Sequence, residues 1–154
     1  MDGPVRRRRL VRPLTAAVVA GLMTLAVWQF WPWREKYPVA LPPPAASQRQ
    51  VVWAYVRSLD AHDSLTALAL SAPTMRATTK MWLASTASIT DVKMGAIQYD
   101  AGQPTGEQYD VPVDFVYRSH WWKDDPSFVD GEHVWGYSLA KIDGRWLITD
   151  DGTG

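Results

Sequence analysis

Hydrophobic and polar positions follow three successive regimes along this chain. From Pro13 to Trp33 the residues form one uncharged, mostly apolar run, preceded by Arg6, Arg7, Arg8, Arg9 and Arg12 and followed by Arg34 and Lys36. A bilayer core of about 30 Å needs roughly 20 apolar residues of helix, and the 21 residues of 13–33 meet that length. The run therefore predicts a transmembrane helix with a basic cytoplasmic tail, residues 1–12, because arginines are retained on the cytoplasmic side. Trp28, Phe30, Trp31 and Trp33 crowd its outer end, where amphipathic rings favour the headgroup region. A cleaved export signal is the competing reading. Its apolar core runs about 7–15 residues and ends in small residues, whereas this exit is bulky. The chain holds no cysteine, so a lipidated N-terminal cysteine is excluded.

The second regime has helical period. Residues 34–47 include Pro42-Pro43-Pro44 and read as a semi-rigid spacer. Ser47 and Gln50 form a capping-box pattern, and Val52, Tyr55, Val56 and Leu59 follow at the i, i+3, i+4, i+7 spacing of one helix stripe. Asp63 is placed to cap a second, shorter helix with Leu65, Leu68 and Ala69. Ser71 and Pro73 mark the start of a third, reaching about Thr86 and carrying Met75, Trp82 and Leu83.

From Ser88 the period falls to two. Residues 88–100 predict a first strand and Gly102 to Gly106 a turn. Val111, Val113, Phe115 and Tyr117 alternate with Asp110, Pro112 and Asp114, as His133, Trp135, Tyr137 and Leu139 do with their neighbours. Asp143-Gly144 between two apolar runs is a type I′ hairpin signal. Helices first and antiparallel strands after predict an α+β class. The expected architecture is an N-terminal transmembrane helix, then about three helices packed on a curved antiparallel sheet of about four strands, residues 48–154.

Two segments carry a resemblance. The stretch Tyr55-Val56-Arg57-Ser58-Leu59-Asp60-Ala61-His62-Asp63 with its Ala/Leu-rich continuation resembles the opening of nuclear-transport-factor-2-like (SnoaL-like) domains. The ending Trp135-Gly136-Tyr137-Ser138-Leu139, then Gly144 to Asp150, is similar to the last hairpin of many members. The resemblance implies a cone of helices wrapped by a bent sheet. In layout the chain is similar to inner-membrane scaffold proteins of conjugation and type IV secretion machines, and to small actinobacterial envelope proteins. Isomerases and cyclases of the same superfamily would imply an acid/base pair inside the cone.

Charge sharpens the placement. Residues 1–36 carry seven Lys/Arg against Asp2 and Glu35, a balance of +5, while residues 37–154 carry nine against fourteen, a balance of −5. The basic end suits an anionic cytoplasmic leaflet, and the acidic remainder argues against nucleic acid as a partner. The expected localisation is the plasma membrane, crossed once, N-terminus inside and C-terminal domain outside. The bilayer and other envelope proteins, or a second copy, are the expected partners.

Candidate chemistry is thin. The connection from Ser119 to His133 exceeds a hairpin loop, and His120, Trp121 and Trp122 within it offer apolar and hydrogen-bonding surface for a partner. Core plugging is the bland alternative for those rings. Trp53, Trp82, Trp135 and Tyr137 are the candidate wall of a ligand-holding interior. His120, Asp124, Asp125, Asp130, Glu132 and His133 lack zinc or calcium ligand spacing, so no metal is expected. Asp114 is the one candidate acid/base, but its alternation turns it away from the apolar face. His62 reads as a cation at a helix C-terminus, and Asp150-Asp151 as a strand end. No cofactor and no catalytic residue is assigned; the expectation is a non-enzymatic interaction module, with a hydrophobic-ligand binder as the alternative and an isomerase- or cyclase-like enzyme behind it.

Overall fold

The computed structural model describes residues 35–100, 108–120 and 129–153. The chain divides into two units, 1–34 and 35–154, and everything below concerns the second. Its helical part opens as the capping box requires. Gln50 Oε1 accepts the Ser47 N–H at 2.8 Å, Ser47 Oγ accepts the Gln50 N–H, and α1 runs Gln48–Ala61. The predicted stripe Val52, Tyr55, Val56 and Leu59 is fully buried. Helix α1 ends where His62 turns into the left-handed region at φ 58°. Asp63 then accepts the Thr66 N–H at 3.0 Å and starts α2, Ser64–Ala69. A 3₁₀ turn, Pro73–Met75, leads into α3, Arg76–Ser85, which buries Trp82 and Leu83.

The strands are β1 Thr86–Met94, β2 Gln98–Asp100, β3 Gln108–Ser119, β4 Gly131–Ile142 and β5 Arg145–Gly152. All pairings are antiparallel, in the order β1-β3-β4-β5, with β2 also against β3. Val111, Val113, Phe115, Tyr117, Tyr137, Leu139 and Ile148 line the face on which the helices pack. Asp143 and Gly144 both take positive φ, 50° and 79°, as a type I′ turn demands. The free edge of β5 is partly covered: the Ala72 N–H donates to Ile148 O at 2.8 Å and the Ile148 N–H to Leu70 O at 2.9 Å.

Three expectations are corrected. The sheet has five strands rather than four, because the single strand expected over 88–100 is broken at 95–97. The cause lies opposite the gap. Pro112 in β3 has no N–H to donate toward this edge, and only its carbonyl is used, by the Gly95 N–H at 2.8 Å. Second, the expected membrane helix 13–33 lies outside the described residues; among those described, no helix is long and apolar enough to cross a membrane, so the single-pass membrane assignment is unsupported. Third, the chain from Glu35 onward, read to residue 47 as a semi-rigid spacer, belongs to the same compact unit as the helices and strands. The Lys36 N–H donates to Ala61 O, the Tyr37 hydroxyl to Asp60 at 2.8 Å, the Val39 N–H to Asp63 at 2.9 Å, and Arg145 reaches Pro42 O.

Candidate functional site

One end of the helix-facing side of the sheet gathers the polar groups of the interior. The feature that creates it is a one-residue bulge in β5. Leu139 pairs with Ile148 but Ser138 pairs with Asp150, so Thr149 is left over. Plain alternation from the buried Ile148 would turn Asp150 inward. The extra residue reverses the phase and brings Asp151 beside buried Tyr137 instead. Thr149 secures the bulge by donating its hydroxyl to Ser138 O at 3.2 Å.

Asp151 is framed by tryptophans. Trp82 on α3 donates its indole N–H to Asp151 Oδ2 at 2.6 Å. Its ring meets Trp135 of β4 edge to face at 5.6 Å and Tyr117 of β3 at 5.8 Å. Burial raises the Asp151 carboxyl above its ordinary value; the indoles of Trp82 and Trp135 oppose that rise, and neighbouring Asp150 adds to it. No cationic side chain is among the groups that set it. A carboxylate kept out of water without a counter-charge is costly, and two indole donors only partly offset the loss.

Behind it sits a chain of hydroxyls. Tyr55 Oη lies 3.0 Å from Thr79 Oγ1, which lies 2.7 Å from Ser71 Oγ. Ser71 Oγ and Thr79 Oγ1 also lie within hydrogen-bond reach of Ala67 O and Met75 O, at 2.7 and 3.0 Å, and the hydroxyl that does not donate between them donates there. Tyr137 packs its ring edge to face on Tyr55 at 5.6 Å, yet its own hydroxyl is buried with no hydrogen-bond partner among the described residues. Burial pushes both phenols up, and Asp151 adds to the rise.

A second cluster lies at the end of α1. The His62 and His120 rings are 5.6 Å apart, and His62 Nδ1 is buried without a hydrogen-bond partner among the described residues. Burial, then Lys36 and His120, lowers His62 to about 4, so it is neutral near pH 7. The cation expected at this helix terminus is therefore absent. Asp60 next to it accepts from Tyr37, Ile89 N–H and Lys36, which holds its carboxyl below the ordinary range despite burial. Among the described residues no group of three or more metal-ligating side chains is present.

The connection between β3 and β4 is closed at its base. Asp130 Oδ1 accepts both the N–H and the hydroxyl of Ser119, each at 2.7 Å. Tyr117 and His133 carry ring contact from this stem to Trp82.

The candidate residues separate accordingly. Trp82, Trp135 and Tyr137 come together around Asp151, and His120 goes to the His62 cluster. Trp53 stands 47% exposed on α1, away from both. Trp121 and Trp122 lie outside the described residues. Asp114 is exposed, on the sheet face opposite the helices. There it borders an open groove of about 420 Å³ shared with Asp91, Lys93 and Glu132, too charged for an apolar ligand. Asp151, the residue that organises the interior end, escaped the sequence because a bulge leaves no mark in alternation.

Comparison with known proteins adds little. No family model and no curated protein sequence matches the chain. A solved structure similar to it is the solution structure of a SEC-C motif containing protein from Rhodopseudomonas palustris, at 12% identity and a TM-score of 0.46, covering 70% of this chain and 79% of that one. A likeness that faint carries no argument. The resemblance to nuclear-transport-factor-2-like domains, and with it the kinship to conjugation and secretion scaffolds, is corrected: no family model, of that family or another, matches the chain.

Proposed function

We propose that the protein is a non-enzymatic recognition module that binds a protein partner, or a second copy of itself, through the connection between β3 and β4. The observation that supports this reading is the Ser119–Asp130 clamp, which fixes both stems of a connection carrying adjacent Trp121 and Trp122. Two hydrogen bonds to one carboxylate oxygen hold the stems in register. Tryptophans are the side chains that most often dominate binding energy at protein interfaces. Asp114, the acid/base candidate of the sequence, faces solvent and so does not serve an interior site.

The same proposal places the domain outside the cytoplasm, because the basic cluster ahead of the apolar run 13–33 is the pattern of an exported chain. The acidic balance of residues 37–154 favours a protein partner over nucleic acid.

The absence of cysteine gives a clean test. A Trp122→Cys variant carries one thiol, which a membrane-impermeant maleimide should label in intact cells. A bifunctional maleimide should then give a discrete crosslinked product that disappears when Trp121→Ala is added. A thiol that stays unlabelled until lysis removes the placement, and labelling without any discrete product removes the recognition reading.

A further inference from the structure

We infer that Asp151, in its frame of Trp82, Trp135 and Tyr137, is a binding site for an organic ammonium group, such as a lysine side chain offered by a protein partner. The inference deepens the recognition reading and rests on it for the identity of the partner, though not for the chemistry of the site.

Three observations carry it. First, Asp151 is a half-buried carboxylate with no cationic neighbour among the described residues, while the Trp82 indole holds it at 2.6 Å. A carboxylate offers about four lone-pair positions, so a donor from outside still finds acceptor capacity after Trp82 and Trp135 have taken theirs. Second, the bulge at Thr149 exists at a cost in sheet regularity, and its effect is to turn a charged side chain toward an aromatic wall. Third, the Tyr137 hydroxyl beside it is fully buried and has no hydrogen-bond partner among the described residues. Native interiors leave few such groups, and those that remain are commonly met by a ligand or water.

The walls select the kind of cation. Indole rings favour an organic cation, since ammonium groups are attracted to aromatic faces. Calcium or magnesium would require several oxygen ligands, and the site brings one carboxylate. Anionic ligands are repelled by Asp151 and by Asp150 next to it. Asp150 is exposed and lies on the other face of β5, so it contributes to the field without forming the site.

The test uses the full-length chain labelled with ¹⁵N and follows the indole N–H signals. n-Butylammonium and N-acetyl-lysine methylamide should shift the Trp82 indole signal saturably, with Kd on the order of 1 mM for so small a ligand. n-Butanol, which has the same chain without the charge, should leave it in place. Asp151→Asn retains an oxygen for Trp82 but loses the charge, and should weaken binding at least about tenfold. Asp150→Asn should bind as the parent does.

The inference fails if n-butanol gives the same shift, if Asp151→Asn binds undiminished, if Asp150→Asn loses as much, or if neither amine shifts the signal. If n-butylammonium binds and the lysine derivative does not, a free amine rather than a protein side chain is the ligand; the site stands and the partner assignment falls. None of these outcomes depends on Trp121 or Trp122, so failure here is distinct from failure of the crosslinking experiment.

Discussion

His62 shows how tertiary packing overrides a side chain's ordinary chemistry. A histidine at a helix C-terminus ought to gain from the dipole as a cation, yet this one is 8% exposed, sits against His120 and feels Lys36. Its proton affinity falls to about 4 when folded, against about 6.5 in the unfolded chain. Between those values the unfolded state holds a proton that the folded state lacks. Stability contributed by this group is therefore complete above about pH 6.5 and declines as pH falls toward 4, by at most about 1.4 kcal/mol per pH unit. His120, also lowered by burial, acts in the same sense. Asp151, raised by burial, acts in the opposite one: its folded form takes up a proton first, so acid favours the folded state through that group. His62→Asn keeps a side chain that tolerates left-handed backbone and removes the titration. Urea midpoints measured from pH 6.5 to 4.5 should decline less steeply in the variant, and an unchanged slope would show that His62 is not the group responsible. At this scale the sequence supplied residue types but not their surroundings. Trp82 was legible as a core position, whereas its hydrogen bond to a residue 69 positions away was not.

Among the elements, the broken edge strand has the clearest cause. Pro112 lies in the middle of β3, a position a paired strand rarely accepts. The fold answers by interrupting the facing strand and placing Gly95 where the ring comes closest. A Cβ built on Gly95 would stand 2.7 Å from Pro112 Cγ, well inside contact. Gly95 has no positive φ, so the clash alone decides the outcome of substitution. Gly95→Ala should cost about 1–3 kcal/mol, read as a lower urea midpoint. Pro112→Ala in the same chain should recover part of the loss, because the two positions share one contact. An unchanged midpoint in Gly95→Ala would mean the edge yields freely there. Helix starts, by contrast, were readable in advance. Ser47 with Gln50, and Asp63, act through bonds to backbone within three residues, so their signal is local. Strand interruption is not local: it depends on which residue of β3 faces which residue of the edge.

For the molecule as a whole, the docked segment 36–42 changes what counts as the domain. Asp60 and Asp63, at the end of α1, gather this segment, the start of α2 and β1 onto two carboxylates. Thr66 returns a bond to Val39 O at 2.9 Å, and Arg57 lies over the Tyr37 ring at 5.2 Å. Hydrogen exchange should therefore find the Lys36 and Val39 amides slowed at least about tenfold relative to an unstructured chain. Asp63→Ala should release Val39 while leaving the centre of α1 protected. Exchange at the unstructured rate in the parent would restore the reading of this segment as a spacer.

Local chemistry alone determined much here: the basic and apolar beginning, helices before strands, the caps, the I′ turn and the buried stripe of α1. Each depends on residues within one or two turns of helix or on a period-two pattern, and such information is carried along the chain. Only the tertiary structure decided the rest. The Thr149 bulge turned Asp151 inward, Pro112 divided the edge strand, burial neutralised His62, and distant carboxylates drew the proline-containing segment onto the domain. All four arise from pairing and desolvation between residues remote in sequence, and those energies exist only once the chain has folded.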